Sequence, residues 1–190
     1  MDERIAIEKV EVLSHDWGVL KKTTFAYRRG DGRWERHARE TYDRGNGATI
    51  LLYNRARGTV ALTRQFRLPA YVNGHPGELI EACAGLLDAD NAEDCIKREA
   101  EEETGYRIAA PTRIFEAFMS PGSVTERLTF FVATYEPGER AGEGGGIAGE
   151  DIAVLDVSLD DALAMIDTGE IVDGKTIMLL QYAALHHLVY

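Results

Sequence analysis

Apolar positions crowd into two runs, residues 48–53 (ATILLY) and 59–63 (TVALT), joined by a polar turn at residues 54–58. Runs this continuous are what strands buried on both faces require, so the main core is expected to begin here. Before them, residues 4–13, 19–28 and 33–42 are rich in β-branched and aromatic side chains, and Gly30-Asp31-Gly32 is a good hairpin turn between the last two. The first 43 residues therefore read as a small antiparallel sheet. Further strands are expected at 113–119, 127–135 and 151–157. The stretch EPGERAGEGGGIAGED between the last two has no periodicity and reads as a mobile loop. Ser158 with Asp161 forms a capping-box start for a helix ending near Gly169, and residues 175–188 form a last amphipathic helix. The order is strands, helix, strands, helices, which predicts an α+β fold of mixed sheet and helices rather than a regular βαβ wind. An N-terminal extension (1–43) followed by one domain (44–190) is the expected organisation.

The one helix between the strand groups carries the unusual chemistry. Asp90 and Glu93 make an N-cap with its capping-box partner and Gly105 is a natural C-terminal stop, so a helix is expected over 91–104. Projected at about 100° per residue from Ala92, the apolar face is set by Cys95, Ile96 and Ala100. Glu99 then falls at about 340° and Glu103 at about 20°, the centre of that inward face, while Asp94, Lys97 and Glu101 point away and Glu102 flanks at about 280°. Inward-facing acids one turn apart repel each other, oppose the helix dipole and lose hydration. A divalent cation taking hard oxygen ligands, Mg²⁺ or Mn²⁺, would compensate all three costs. A solvated acidic surface is the alternative, and the phase of the helix argues against it.

Composition narrows the partners. The chain has 190 residues, 45% hydrophobic and 28% charged, with a formal net charge of -11. That charge argues against bulk binding to nucleic acid or an anionic membrane, and requires local cations if the substrate is an anion. No apolar run approaches the roughly 18 residues of a spanning helix, and the first ten residues lack a signal-peptide core, so a cytoplasmic protein is expected. Cys83 and Cys95 have no CxxC spacing and no nearby histidine, which suits reduced core residues. The five histidines show no ligand spacing. Gly144, Gly146 and Gly149 satisfy GxGxxG without a leading strand or following helix, and Ser120-Pro121-Gly122-Ser123 lacks a GxSxG elbow, so neither a dinucleotide fold nor a serine hydrolase is implied.

Residues 85–106, GLLDADNAEDCIKREAEEETGY, resemble the Nudix box, Gly-x5-Glu-x7-Arg-Glu-U-x-Glu-Glu-x-Gly-U, with Arg98, Glu99, Glu102, Glu103 and Gly105 in the required places. Two departures stand out: Asp90 replaces the early glutamate, and only four residues separate it from Gly85. The segments Cys83-Ala84-Gly85-Leu86-Leu87-Asp88, Arg64-Gln65-Phe66-Arg67, Ser120-Pro121-Gly122 with Glu126, Gly149-Glu150-Asp151 and Asp173-Gly174-Lys175-Thr176 together resemble the GDP-mannose pyrophosphatase group, kin of the ADP-ribose pyrophosphatases. The resemblance covers nearly the full chain. It implies a Nudix αβα sandwich, an N-terminal sheet that helps form a homodimer, and Mg²⁺-dependent hydrolysis of a nucleotide sugar. It also implies metal ligands at Glu99, Glu103, Glu150 and the Ala84 carbonyl, with Glu102 an additional ligand or supporting acid. Glu150 is the loop candidate for the base that orients water, with Glu103 and Glu126 as rivals. Arg67 and Lys175 could clamp a phosphate, Gly85 and Leu86 would line the substrate site beside Gly149, and Trp17 with Ala38-Arg39-Glu40 would reach the nucleotide from a partner subunit. For Trp17 a core or interface role is the alternative, and for Arg67 and Lys175 ordinary solvated positions. Hydrolysis of ADP-ribose and a catalytically silent nucleotide-binding module are the competing functions. The intact acidic set favours an enzyme.

Overall fold

The computed structural model describes residues 3–87, 91–136, 138 and 140–189. The chain divides into two compact units, residues 1–46 with 118–127 and residues 47–117 with 128–190.

The first unit is a three-stranded antiparallel sheet of β1 (Ile5–His15), β2 (Val19–Arg28) and β3 (Trp34–Asp43), in that order. Tyr42 exchanges backbone hydrogen bonds with Ser123 and Thr125, which ties the 118–127 segment to the end of β3. The strands are long, yet the apolar side chains of β1 stay largely uncovered by this chain: Ile7 is 59% exposed and Val12 61%, and Trp17 in the turn to β2 is 70% exposed. Two register shifts, between Ile7 and Lys9 and between Val12 and Ser14, interrupt the β1–β2 pairing.

The second unit holds a mixed sheet. Its strands are β4 (Gly47–Asn54), β5 (Thr59–Phe66), β6 (Glu78–Glu81), β7 (Cys83–Leu86), β8 (Thr112–Phe118), β9 (Arg127–Thr134) and β10 (Ile152–Ser158), ordered β10-β5-β4-β9-β8 with β6 on β5 and β7 on β4. The β4–β9 pair is parallel and lies at the centre of the sheet. As the apolar runs predict, Ile50, Leu51, Leu52, Val60 and Leu62 are fully buried. Alternate residues Ala48, Ile50 and Leu52 join Ile96 and Ala100 of helix α2 (Ala92–Thr104) in one core cluster. Helix α4 (Gly174–Leu185) also packs on β4 and meets α3 (Leu159–Thr168), so the expected mixed-sheet α+β architecture is found.

Three elements lie outside the sequence reading. These are the five-residue helix α1 (Leu68–Val72), β6 and β7. They are too short for periodicity to register, and β6 and β7 take their identity from the neighbours they pair with. The start of α2 also needs correction. Asn91 is the N-cap, its side chain accepting from the amides of Glu93 and Asp94 at 3.1 and 3.0 Å, so the helix begins at Ala92 rather than at residue 91. Asp90, the expected cap, lies outside the described residues, as does Asp88 of the 83–88 motif. Ser158 caps α3 as expected, accepting from the Asp161 amide, and Asp173 caps α4, which therefore starts one residue before Lys175 and ends at Leu185 rather than at 188.

Candidate active site

Helix α2 presents its acids as its phase predicts. Cys95, Ile96, Ala100, Glu103 and Thr104 are buried, the Glu99 side chain is 17% exposed, and Glu101 turns outward to bond Arg107. Glu103 is the most confined acid, only 5% exposed, and its Oε2 is buried without a hydrogen-bond partner among the described residues. Burial raises its carboxyl from 4.5 to about 7, the Glu99 charge adding to the rise while the Cys83 thiol, the Arg67 charge and the Ala84 amide oppose it. Glu99 is also raised, first by burial and then by the Glu102 and Glu150 charges, with Arg98 acting the other way. Arg98 donates to Glu99 Oε1 at 2.8 Å and to Glu102 Oε2 at 3.2 Å, clipping the two acids together.

Strand β7 brings backbone to this face. Gly85 pairs with Ala48 on β4, and a Cβ at Gly85 would stand 2.2 Å from Glu99 Cδ. Only glycine lets the Glu99 carboxyl lie directly on the strand beside Ala84. Cys95 closes the other end, its thiol donating to the Leu86 carbonyl at 3.2 Å.

The glycine-rich loop, read as mobile from composition, is tied by hydrogen bonds to the end of α2. A helix leaves its last carbonyls without intrahelical partners. Here Gly105 donates to Glu101, Gly146 to Glu102 and Gly145 to Glu103, and the Arg140 guanidinium donates to the Thr104 carbonyl at 2.9 Å. Gly144 passes so close that a Cβ would lie 2.5 Å from the Glu103 carbonyl oxygen, and its φ is +74°. Arg140 also covers the Tyr106 ring at 5.1 Å. Anchored in this way, the loop carries Glu150 near enough to influence Glu99, with Glu150 Oε2 accepting from the Ile147 amide at 2.9 Å. A cleft of about 430 Å³ opens between Arg98, Glu101 and Glu102 and residues 141–144 of the loop.

Arg67 and Lys175 are not loose cations. Arg67 Nε donates to Glu81 Oε2 at 2.7 Å, and Lys175, 8% exposed, pairs with Glu81 Oε1 and with Asp173 at 3.0 Å. Glu81 and Arg140 were not singled out by sequence; an acid inside the apolar run LIEACA was the available signal for the first.

Of the remaining sequence-predicted residues, Leu86 and Gly149 belong to the second unit with the acids, Gly149 at φ +100°. Trp17, Ala38, Arg39, Glu40 and Glu126 belong to the first unit. There Arg44 lies 5.3 Å from the Trp17 ring and pairs with Glu126 at 3.1 Å, and Arg39 donates to the Ala38 carbonyl.

Carboxylate and carbonyl oxygens are by their chemistry ligands for a hard divalent cation. Among the described residues no three His, Cys, Asp or Glu side chains stand close enough together to hold one. The buried Glu103 oxygen beside Glu99 and Ala84, unpartnered among the described residues, is nevertheless what a carboxylate ligand looks like before its cation is counted.

Comparison with known proteins agrees in family. Residues 4–42 match the profile described as the GDP-mannose pyrophosphatase NudK N-terminal domain, and residues 43–180 match the NUDIX domain. The chain is 53% identical to a GDP-mannose pyrophosphatase of Citrobacter koseri, with both chains fully covered. It is 55% identical to that of Pectobacterium atrosepticum over 96% of this chain and 95% of the relative, and 52% identical to that of Escherichia coli O157:H7 over the whole of both. A solved structure titled "Crystal structure of ADP compounds hydrolase" superposes with a TM-score of 0.75 at 14% identity, covering 98% of this chain and 95% of the other, a likeness of fold alone. With more than half its length matched by the NUDIX profile and full-length relatives above half identity, the chain belongs to the Nudix hydrolase family and is a pyrophosphohydrolase.

Proposed function

We propose that the protein hydrolyses the diphosphate of GDP-mannose to GMP and mannose 1-phosphate, with Mg²⁺ as the cofactor and Mn²⁺ able to replace it. The names of the relatives support the substrate. The observation that carries the chemistry is the buried, unpartnered Glu103 oxygen next to Glu99. Nudix hydrolases generally use divalent metal ions. Glu99, Glu103, Glu150 and the Ala84 carbonyl would hold the metal, with Glu102 supporting them through Arg98. When bound, such an ion polarises a phosphoryl oxygen and acidifies a water. The protein's own part is positioning. Arg67 and Lys175 receive the charge of the diphosphate, Gly85, Leu86 and Gly149 let backbone approach it, and Glu150, exposed on its loop, takes the proton of the attacking water. Glu103 and Glu126 are the alternative bases.

Measuring kcat/KM over a panel of nucleotide sugars tests the substrate. GDP-mannose is expected to lead. ADP-ribose cleaved tenfold better, a discrimination of about 1.4 kcal/mol, would overturn the substrate while leaving the reaction class. In ¹⁸O water, label in GMP reports attack on the nucleotide-side phosphorus and label in the sugar phosphate reports the other.

The proposal includes a cytoplasmic homodimer, built partly from residues 1–43, in which Trp17, Ala38, Arg39 and Glu40 serve the partner's site. Five apolar side chains of β1, namely Ile5, Ile7, Val10, Val12 and Leu13, are each at least 45% exposed, more uncovered surface than a monomer ordinarily carries. Sedimentation at micromolar concentration is expected to give a dimer, and a fully active monomer would contradict it. Two free buried cysteines support a reducing location.

A further inference from the structure

The two cations proposed for the diphosphate converge on opposite oxygens of one buried carboxylate. Glu81 ends β6 and is 3% exposed. Its Oε2 accepts from Arg67 Nε at 2.7 Å and its Oε1 accepts from Lys175 Nζ. Lys175 is held from its other side by Asp173 Oδ2, which also accepts from the Thr176 amide at 3.0 Å and hydroxyl at 2.6 Å. The Thr176 hydroxyl in turn accepts from the Ala82 amide at 2.7 Å, directly after Glu81 in the chain. Glu81 is therefore fixed by strand pairing on one side and by the start of α4 on the other.

This network is asymmetric in exposure. The Glu81 side chain is 4% exposed and that of Lys175 10%, whereas that of Arg67 is 39% exposed. A buried carboxylate between two cations is not in itself evidence of stabilisation, because apolar residues of the same volume often do as well. What apolar residues could not do is hold a half-exposed guanidinium by its Nε. That grip uses the inner nitrogen, and among the described residues neither terminal nitrogen makes a hydrogen bond. The two terminal nitrogens are the pair that meets a phosphate in a fork. Lys175, itself held by Asp173, pairs with the second Glu81 oxygen, so both oxygens of the buried carboxylate are engaged and Arg67 Nε meets a fixed acceptor.

We propose that Glu81 is a positioning residue: it sets the angle at which Arg67 meets the diphosphate, with Lys175 pairing its second oxygen and Asp173 holding Lys175 in place. This rests on the reading of Arg67 as a diphosphate clamp given above. A loosened guanidinium still attracts the anion, but no longer meets the oxygens in one geometry, so the loss falls mainly on kcat.

The test is a double-mutant cycle read in kcat and KM, on whichever of GDP-mannose and ADP-ribose is turned over faster, with Mg²⁺. Glu81→Gln is expected to lower kcat/KM about 30-fold, chiefly through kcat, and to cost threefold or less when Arg67 is already Met, because interacting residues are not additive. Equal losses in both backgrounds would mean that Glu81 acts on the fold and would overturn the inference alone. Arg67→Met leaving kcat/KM within threefold would overturn the clamp reading itself, and this inference with it. Should Glu81→Gln fold poorly, Glu81→Gln with Lys175→Met removes the buried pair together, and the same cycle is run from Lys175→Met as the parent.

Discussion

Replacing Glu103 with Gln is expected to lower kcat by about a thousandfold or more, roughly 4 kcal/mol of transition-state stabilisation, while the fold persists. The same substitution should stabilise the metal-free protein at alkaline pH. The Glu103 carboxyl titrates at about 7 in the fold against an ordinary 4.5. Below pH 4.5 both states hold the proton and the residue contributes nothing to the pH dependence. Between pH 4.5 and 7 the unfolded chain releases its proton while the folded one keeps it, so stability falls as pH rises, and above 7 the cost levels off. At about 1.4 kcal/mol per unit the full cost is about 3 kcal/mol. Urea unfolding with EDTA at pH 8 should therefore show Glu103→Gln more stable by about 1–3 kcal/mol, the gap closing towards pH 4.5. Turnover within a few-fold of the parent, or a variant less stable at pH 8 than at pH 5 relative to the parent, would dismiss Glu103 as a desolvated metal ligand.

Gly85→Ala is the second large effect, and it separates function from stability. The added methyl would stand 2.2 Å from Glu99 Cδ and 2.4 Å from Cγ. Those atoms are the outer part of a flexible side chain, so Glu99 swings aside at a cost of about 1–2 kcal/mol in stability. A displaced ligand is more serious. Mn²⁺ affinity by calorimetry is expected to fall about 10- to 100-fold, with kcat/KM falling at least as far, while the melting temperature moves by a few degrees. Unchanged Mn²⁺ affinity would show that Glu99 does not ligate from its place against β7.

The inward acids were legible because a helix has a fixed period and Cys95, Ile96 and Ala100 set its phase. Its end was legible because Gly105 sits at φ +78° where a left-handed residue is needed. Its first residue was not, since Asp90 and Asn91 are both good N-caps and local sequence does not choose between them. The cationic network was half legible: Arg67 stood out at the end of a core strand, and Lys175 as a positive charge set against the dipole at the start of a helix. Their shared partner did not, because Glu81 meets Lys175 across a separation of 94 residues that no local pattern encodes. The attachment of the loop to α2 was not legible for a related reason. A run of glycines looks mobile by composition, but here the glycines are the residues able to approach the carbonyls at the end of α2.

That approach makes the glycine loop and the last turn of the acidic helix one cooperative unit. The amides of Gly145 and Gly146 are closed by the carbonyls of Glu103 and Glu102, so these protons exchange with solvent only when the loop and the helix end part. Glu150 thus inherits its order from a helix some fifty residues earlier in the chain. Inserting or deleting residues between Arg140 and Gly146 would break the register of this shared cap and unravel the helix turn that carries Glu102 and Glu103, whereas a change beyond Gly146 would move Glu150 alone. The length of this loop is therefore constrained by the helix it closes.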